Sequence, residues 1–305
     1  MNKALVTGAA GFIGSHLVDQ LLSENYQVVG VDNLSTGSLS NLNSAIKNSA
    51  FNFFERDICD ELLDIEGEFD VIFHAASPAS PPKYFALPIE TMNVNSIGTK
   101  NMIEVAIKNR ARLIYFSTSE IYGDPLVHPQ SEEYFGNVNP IGPRSIYDEA
   151  KRFGEALVSQ YVREGKLNAG IIRIFNTYGP RLDPFDGRVI STFLRQASND
   201  EVLTINGSGE QTRSFCYISD LVDGILKMSK IDIMGPINLG NPYEITLNEL
   251  VKVLEKIFKK ELQKTYLPGL IDDPLRRRPD ISKANKLLNW HPKILLEDGL
   301  KACLS

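Results

Sequence analysis

The sequence predicts an α/β protein built on a doubly wound parallel sheet, with a smaller C-terminal substrate-binding region. Three observations predict it. Short apolar runs bounded by glycine and polar residues recur at 4–7, 27–31, 51–55, 71–74, 112–117 and 170–175. Longer stretches of helical periodicity separate most of them, at 12–23, 91–109 and 147–164. Short buried strands alternating with helices pack as a parallel sheet covered on both faces. The first strand also runs straight into Gly8, Gly11 and Gly14 and then a helix.

Each element adds its own constraint. Glycines at that strand–helix turn let the backbone bend sharply and approach a pyrophosphate, which then rests on the unpaired N–H groups of the helix start, around Phe12 and Ile13. Asp32 closes the second strand, followed by Asn33. A carboxylate there accepts hydrogen bonds from an adenosine ribose diol and repels a 2′-phosphate, so NAD is expected over NADP. Residues 1–175 are accordingly read as a Rossmann-type NAD-binding domain that also carries the catalytic side chains.

The composition removes several classes. The 305-residue chain has a formal charge of -6, which argues against a nucleic-acid partner, because phosphate backbones need a broad basic face. Three cysteines, Cys59, Cys216 and Cys303, are too few and scattered for a disulfide framework and lack metal-ligand spacing, so no metal is expected. They read as small, largely buried apolar residues in a reducing compartment. No apolar run is long enough to span a bilayer, and strand pattern begins at Lys3, leaving no room for a signal peptide. The expectation is a cytoplasmic protein without membrane contact.

Tyr147 and Lys151 stand four residues apart on a helical segment and so share a face. A phenol with an ordinary pKa of about 10 is a poor base at neutrality, but a neighbouring ammonium and a positive nicotinamide ring favour the phenolate. Upstream, Ser117, Thr118, Ser119 and Glu120 close the strand at 112–117. Thr118 can hydrogen-bond a substrate hydroxyl and relay its proton to Tyr147. Together the set permits removal of an alcohol proton while a hydride leaves the same carbon for NAD. Ser117 also reads as a simple polar turn residue.

The spacing Gly8, Gly11, Gly14 with Tyr147 and Lys151 resembles the extended short-chain dehydrogenase/reductase superfamily. That resemblance puts Asp57 and Ile58 near the adenine, and the His74–Ser77 stretch, including Ala75, near the nicotinamide. His74 by itself reads as a structural histidine at a strand end. Longer motifs resemble the UDP-glucuronate decarboxylases, also called UDP-xylose synthases. They are the run from Ser117 through Gln130, with Gly123-Asp-Pro and His128-Pro-Gln130, the run Asn137–Arg144, and Tyr147-Asp-Glu-Ala-Lys-Arg152. They continue through Arg173–Arg181, Asp186–Val189, Gln211–Phe215 and residues 272–280, so the resemblance covers essentially the whole chain.

That resemblance implies NAD-dependent conversion of UDP-glucuronate to UDP-xylose through a UDP-4-keto intermediate. Tyr147 is implied as the base, Thr118 as its partner at the C4 hydroxyl, and Glu120 and Arg277 as the groups around the carboxylate and C5. Residues 176–305 are expected to form mainly the sugar-nucleotide-binding region, with some segments returning to the sheet. Ser119, Asn176, Arg181, Arg188, Val189, Arg213 and Arg277 are the implied substrate contacts, with Arg213 on the diphosphate. Arg276 or Arg278 reads as solvated or ion-paired. Asn206 departs from the tyrosine common in the family, which bears on nucleotide recognition.

Related enzymes differ at these positions. A 4,6-dehydratase carries an Asp-Glu pair after the threonine where this chain has Ser119, and a 4-epimerase commonly lacks the carboxylate at Glu120. An oxidative decarboxylase that shares Thr-Ser-Glu releases the 4-keto pentose and NADH, and that alternative stays open. The stripe Met92, Ile97, Met102 and Val105 with Phe153, Leu157 and Tyr161 reads as core or, as the resemblance implies and with more weight, as a four-helix homodimer seam. Trp290 is expected to pack the small C-terminal region.

Overall fold

The structure, a computed structural model, describes residues 1–60, 65, 67–269 and 276–304. The first half runs β1 (Lys3–Thr7), α1 (Phe12–Ser23), β2 (Gln27–Asp32), β3 (Phe51–Glu55), β4 (Val71–His74), α2 (Pro81–Ala86), α3 (Pro88–Asn93), α4 (Thr99–Asn109), β5 (Arg112–Thr118), α5 (Ser145–Arg163) and β6 (Ala169–Ile174). The second half runs β7 (Thr177–Tyr178), α6 (Val189–Ser198), β8 (Leu203–Asn206), β9 (Thr212–Ser214), β10 (Cys216–Tyr217), α7 (Ile218–Ser229) and β11 (Ile237–Leu239). It closes with β12 (Glu244–Thr246), α8 (Leu247–Phe258), β13 (Lys264–Leu267), β14 (Arg276–Arg277), α9 (Ser282–Leu288) and α10 (Leu296–Ala302).

The main sheet has the order β11-β6-β5-β4-β1-β2-β3, with neighbouring strands parallel throughout. Its central strands are buried on both faces, which is why they read as continuous apolar runs rather than alternating ones. After β1 the chain builds outward through β2 and β3, then returns to place β4 on the other side of β1. That reversal opens a crevice beyond the C-terminal ends of β1 and β4, where doubly wound sheets bind ligands. Thr7, Thr118 and the turn at Gly8 all lie at this edge.

One apolar cluster packs α1, α7 and α9 on one face of the sheet, and another packs α4 and α5 on the opposite face. A third fills the smaller lobe among α6, α8 and the short strands. Trp290 belongs to the first cluster, not to the small lobe expected from sequence. Its ring is fully buried and Nε1 donates to the Asp220 carbonyl of α7 at 2.8 Å. Proximity to the C-terminus misled that assignment, because α9 returns to the main sheet.

The apolar stretch at 91–109 reads as a single helix, and in the structure α3 passes into α4 through a π turn at Val94–Gly98. There Asn95 is fully buried and its Nδ2 donates to Ser77 Oγ at 2.9 Å and to the Thr91 carbonyl at 2.8 Å. The expected dimer stripe also divides. Met102 is fully buried, and Val105, Leu157 and Tyr161 pack against the same core, whereas Met92, Ile97 and Phe153 are 47%, 47% and 51% exposed. A 3.6-residue period places some of the stripe inward against the sheet, so only part of it can meet a partner.

Candidate active site

The crevice opens into a cleft of about 1390 Å³ lined by both halves of the chain. That exceeds the roughly 300–1,000 Å³ of a pocket for one drug-sized ligand, leaving room for a dinucleotide and a second nucleotide. β5 ends at Thr118, whose Oγ1 accepts from the Glu120 N–H at 3.2 Å and starts a short 3-10 turn over Ser119–Tyr122. α5 approaches β5 closely because Gly154 faces Tyr115. A Cβ at Gly154 would stand 2.1 Å from the Tyr115 hydroxyl. This contact seats the first turns of α5, with Tyr147 and Lys151, against the strand end.

Tyr147 and Lys151 are both almost fully buried, and the Lys151 ammonium nitrogen lies 5.9 Å from the centre of the Tyr147 ring. Lys151 Nζ donates to the Phe116 carbonyl at 2.9 Å. Burial, partly opposed by Glu155, pulls Lys151 down to about 7. The Tyr147 phenol is pushed up, first by burial and then by the Glu120 charge, while a hydrogen bond with Thr118 and the Arg188 charge pull the other way. The lowered phenol expected from sequence is therefore not achieved by protein groups alone. The reason is physical: burial of the phenol itself disfavours its charged form.

Glu120 stands between two guanidinium groups. Arg277 Nη2 donates to Oε2 at 3.0 Å and Arg277 Nη1 to Oε1, while Arg144 Nη2 donates to Oε2 at 2.5 Å. Burial alone would raise this carboxyl, but Arg277 and Arg144 outweigh it and hold it at about 2. Two guanidinium groups thus converge on one buried carboxylate. Arg277 is buried, while Arg276 and Arg278 turn the other way, 3.7 and 3.9 Å from Glu244. Strand alternation separates them. The motif positions at 272–275 lie outside the described residues.

Residues 4–240 match the NAD dependent epimerase/dehydratase family. The chain belongs to that family. It is 48% identical to UDP-glucuronic acid decarboxylase 6 of Arabidopsis thaliana, over 98% of this chain and 86% of that protein. It is 47% identical to UDP-glucuronic acid decarboxylase 1 of Danio rerio, over 98% and 71%. Among solved structures, UDP-glucuronic acid 4-epimerase from Bacillus cereus, in complex with UDP-glucuronic acid and NAD, superposes with a TM-score of 0.89. It shares 34% identity over 98% of this chain and 97% of that one. UDP-glucose 4-epimerase from Thermotoga maritima, with UDP-glucose, gives 0.89 and 34% over 99% and 97%.

NAD is the cofactor of this epimerase/dehydratase family, and the residues present fit it. Gly8 has φ +69, and a Cβ there would meet the Ala76 backbone at 2.9 Å. A Cβ at Gly14 would fall 2.0 Å from the Gly8 carbonyl oxygen. Gly11 brings no side chain to cap α1, so the N–H groups around Phe12 and Ile13 face the cleft for a pyrophosphate. Asp32 is oriented by the N–H groups of Ala10, at 3.0 Å to Oδ2, and Leu34, at 2.8 Å to Oδ1. Each oxygen keeps a lone pair for a ribose hydroxyl. Asn33 Nδ2 donates to Asp57 Oδ2 at 2.8 Å, and Asp57, Ile58 and Ala75 all line the same cleft.

Two sequence candidates are structural. The His74 ring bonds Thr7 Oγ1 at 2.9 Å and Thr99 Oγ1 at 3.0 Å, and burial pulls it down to about 3. Ser117 donates to Glu155 Oε1 at 2.5 Å, and Glu155 in turn pairs with Arg173.

On the substrate side, Ser119, Asn176, Val189, Asn206 and Arg213 border the cleft. Arg181 borders it too but is ion-paired with Asp19 at 2.5 Å, and Arg188 with Asp186. Arg213 sits on β9 directly beside Arg277 on β14. A metal-binding cluster is absent among the described residues. The three cysteines are free.

Sequence reasoning missed Arg144, Tyr84 and Asp148. Arg144 had a signal: it lies three residues before Tyr147, and its carbonyl accepts the Tyr147 N–H at 3.0 Å. Tyr84 gave none. Its ring stacks on Tyr147 with centroids 5.3 Å apart and planes 3° from parallel, across a contact between separate elements. Asp148 is buried with Oδ1 lacking a hydrogen-bond partner, and burial followed by the Glu120 charge pushes it up to about 8. Its neutral form favours the fold, a contribution present below the ordinary 3.8 and lost as pH climbs through about 8. Asp148→Asn therefore gains stability over the wild type progressively across that window, measured as melting temperature against pH. A pH-independent difference between the two proteins would contradict this.

Proposed function

We propose that the protein converts UDP-glucuronate to UDP-xylose and carbon dioxide, through a UDP-4-keto intermediate. The observation that carries this reading is the Glu120 carboxylate held between Arg277 and Arg144 beside Thr118 and Tyr147. Guanidinium groups gathered next to an alcohol-oxidising set suit a sugar that bears its own carboxylate. The names of the most similar relatives support the same reading.

The chemistry assigns each group a task. When bound, NAD supplies an acceptor for the C4 hydride and a donor for its return. Tyr147 takes the C4 hydroxyl proton, with Thr118 holding that hydroxyl and Lys151 holding Tyr147's surroundings polar. The resulting C4 ketone is β to the C5 carboxylate, so the C5–carboxylate bond breaks with its electrons delocalised into an enolate. Arg277 orients the departing carboxylate as a planar two-point donor. Glu120 fixes Arg277 and faces the region of C5, where a proton is then added. Tyr147 returns its proton to the C4 oxygen as the ketone is reduced.

Residues 1–175 serve NAD and the chemistry, and 176–305 serve mainly the sugar nucleotide, with Arg213 on the diphosphate. β11 and α7 are segments of the second part that return to the main sheet. A homodimer through the exposed face of Ile89, Met92, Ile97 and Phe153 covers apolar surface that water would otherwise wet. Sedimentation should give twice the 34.0 kDa chain mass, and Phe153→Asp should shift it to the monomer. A wild-type monomer at micromolar concentration would sink the dimer. Among the described residues no helix is long and apolar enough to cross a membrane. A cytoplasmic setting fits three unpaired cysteines.

Incubation of purified protein with UDP-glucuronate, followed by mass and proton NMR, tests the reading. UDP-xylose is the expected product. Release of a UDP-4-keto pentose with stoichiometric NADH would assign the oxidative reaction instead. The structural likeness to a UDP-glucuronic acid 4-epimerase favours a second reading, a C4 epimerase or related dehydratase. An epimerised acid with no loss of carbon would establish that one.

A further inference from the structure

Resting on the decarboxylase reading, we propose that Gln130 is a positioning residue that fixes Arg277 against Glu120. Arg277 stands on the two-residue strand β14, paired with β9 through Arg276–Thr212 and Arg277–Arg213. So short a ladder is a weak fixture for a guanidinium whose placement matters to the ångström. Gln130 is fully buried and closes on Arg278, the residue after that strand, once through its side chain and once through its main chain. Its Oε1 accepts from the Arg278 N–H at 2.8 Å, and its own N–H donates to the Arg278 carbonyl at 2.9 Å. Its carbonyl accepts from the Asp280 N–H at 2.8 Å. Gln130 Nε2 is spent on the Val127 carbonyl at 2.8 Å, which locks the amide orientation.

The same hub reaches the other half of the ion pair. Asn238, fully buried on β11, donates from Nδ2 to the Gln130 carbonyl at 3.0 Å and to the Asp280 carbonyl at 3.1 Å. Its Oδ1 accepts from the Tyr122 hydroxyl at 2.8 Å, and Tyr122 lies two residues past Glu120 in the same turn. Glu120 and Arg277, far apart in sequence, are thus tied to one satisfied buried network. Such networks hold geometry because any partial disconnection leaves a costly unpaired polar group. A shift of about 1 Å at a reacting group lowers turnover by roughly 100-fold.

The test is a double-mutant cycle on the full-length protein, with kcat and KM for UDP-glucuronate and calorimetric affinity for UDP. Gln130→Met, close in volume but without the side-chain oxygen that accepts the Arg278 N–H, should lower kcat by roughly 10- to 100-fold with UDP affinity within about two-fold. In an Arg277→Lys background the same change should cost less than about three-fold, because the interaction it protects is already lost. Unchanged kcat in Gln130→Met, or losses that multiply in full, would overturn the proposal. If Gln130→Met does not fold, Ser214→Ala serves in its place, removing a 3.3 Å bond from Ser214 Oγ to the Arg277 carbonyl. A smaller loss that vanishes in the Arg277→Lys background supports the clamp, and an additive loss defeats it. Full turnover of UDP-glucuronate by Arg277→Lys alone would instead remove the functional reading on which the clamp depends.

Discussion

Tyr147→Phe lowers kcat for UDP-glucuronate by roughly 1,000-fold, within the usual range for removing a positioned general base. The Tyr147 side chain lines the cleft with Thr118 and stands one helical turn from Lys151 on the same face of α5. Deleting the hydroxyl leaves the ring and its stack on Tyr84 in place. Folding should therefore change by only about 1 kcal/mol, the net worth of one hydrogen bond. Affinity for UDP should hold, since the nucleotide-side arginines are untouched. Turnover by product chromatography, with melting temperature beside it, separates lost chemistry from lost structure. A variant with wild-type turnover would remove Tyr147 from the mechanism.

Arg277→Met has the second largest expected effect and reports on stability as well as rate. The substitution takes away the two-point contact with Glu120 and leaves the carboxylate with Arg144. Turnover of UDP-glucuronate should fall by about 100-fold or more, because both the substrate carboxylate and Glu120 lose their planar donor. The pH signature follows from the depressed Glu120 carboxyl. Its ionised form stabilises the fold above the ordinary 4.5, and that contribution is lost as pH falls from there towards about 2. With Arg277 gone, Glu120 titrates nearer its ordinary value and the acid loss of stability covers a narrower window. Melting curves from pH 3 to 7 should show wild type and variant converging as the pH falls. Parallel curves would mean that Arg277 does not govern the Glu120 charge.

The fold was legible because its signals are local. The apolar runs that became the central strands β1, β4 and β5 are buried on both faces, and the glycine turn before α1 is a contiguous pattern. The small lobe was far less readable. β7, β10 and β14 are two residues long and exist only through partners distant in sequence. Trp290 and Met102 were misassigned for the same reason: periodicity gives a face, while tertiary packing decides what covers it.

The site divides similarly. Gly8, Asp32, Tyr147 and Lys151 have spacings that announce their setting. The pairing of Glu120 with Arg277 spans 157 positions and came only from family resemblance. Nothing in the sequence foretold that Arg144 would share Glu120, or that burial would pull Lys151 down to about 7. Charge states of buried groups are set by neighbours, so they become readable only once the chain is folded.

The central claim is that oxidation at C4 is temporary and that carbon is lost between the two hydride steps. UDP-glucuronate carrying deuterium at C4 tests it most directly, with the pentose product read by mass and proton NMR. The expected product is UDP-xylose that retains the C4 deuterium and gains one solvent hydrogen at C5, with carbon dioxide released in equal amount. A product without the label at C4, or a six-carbon product that retains its carboxylate, would contradict it.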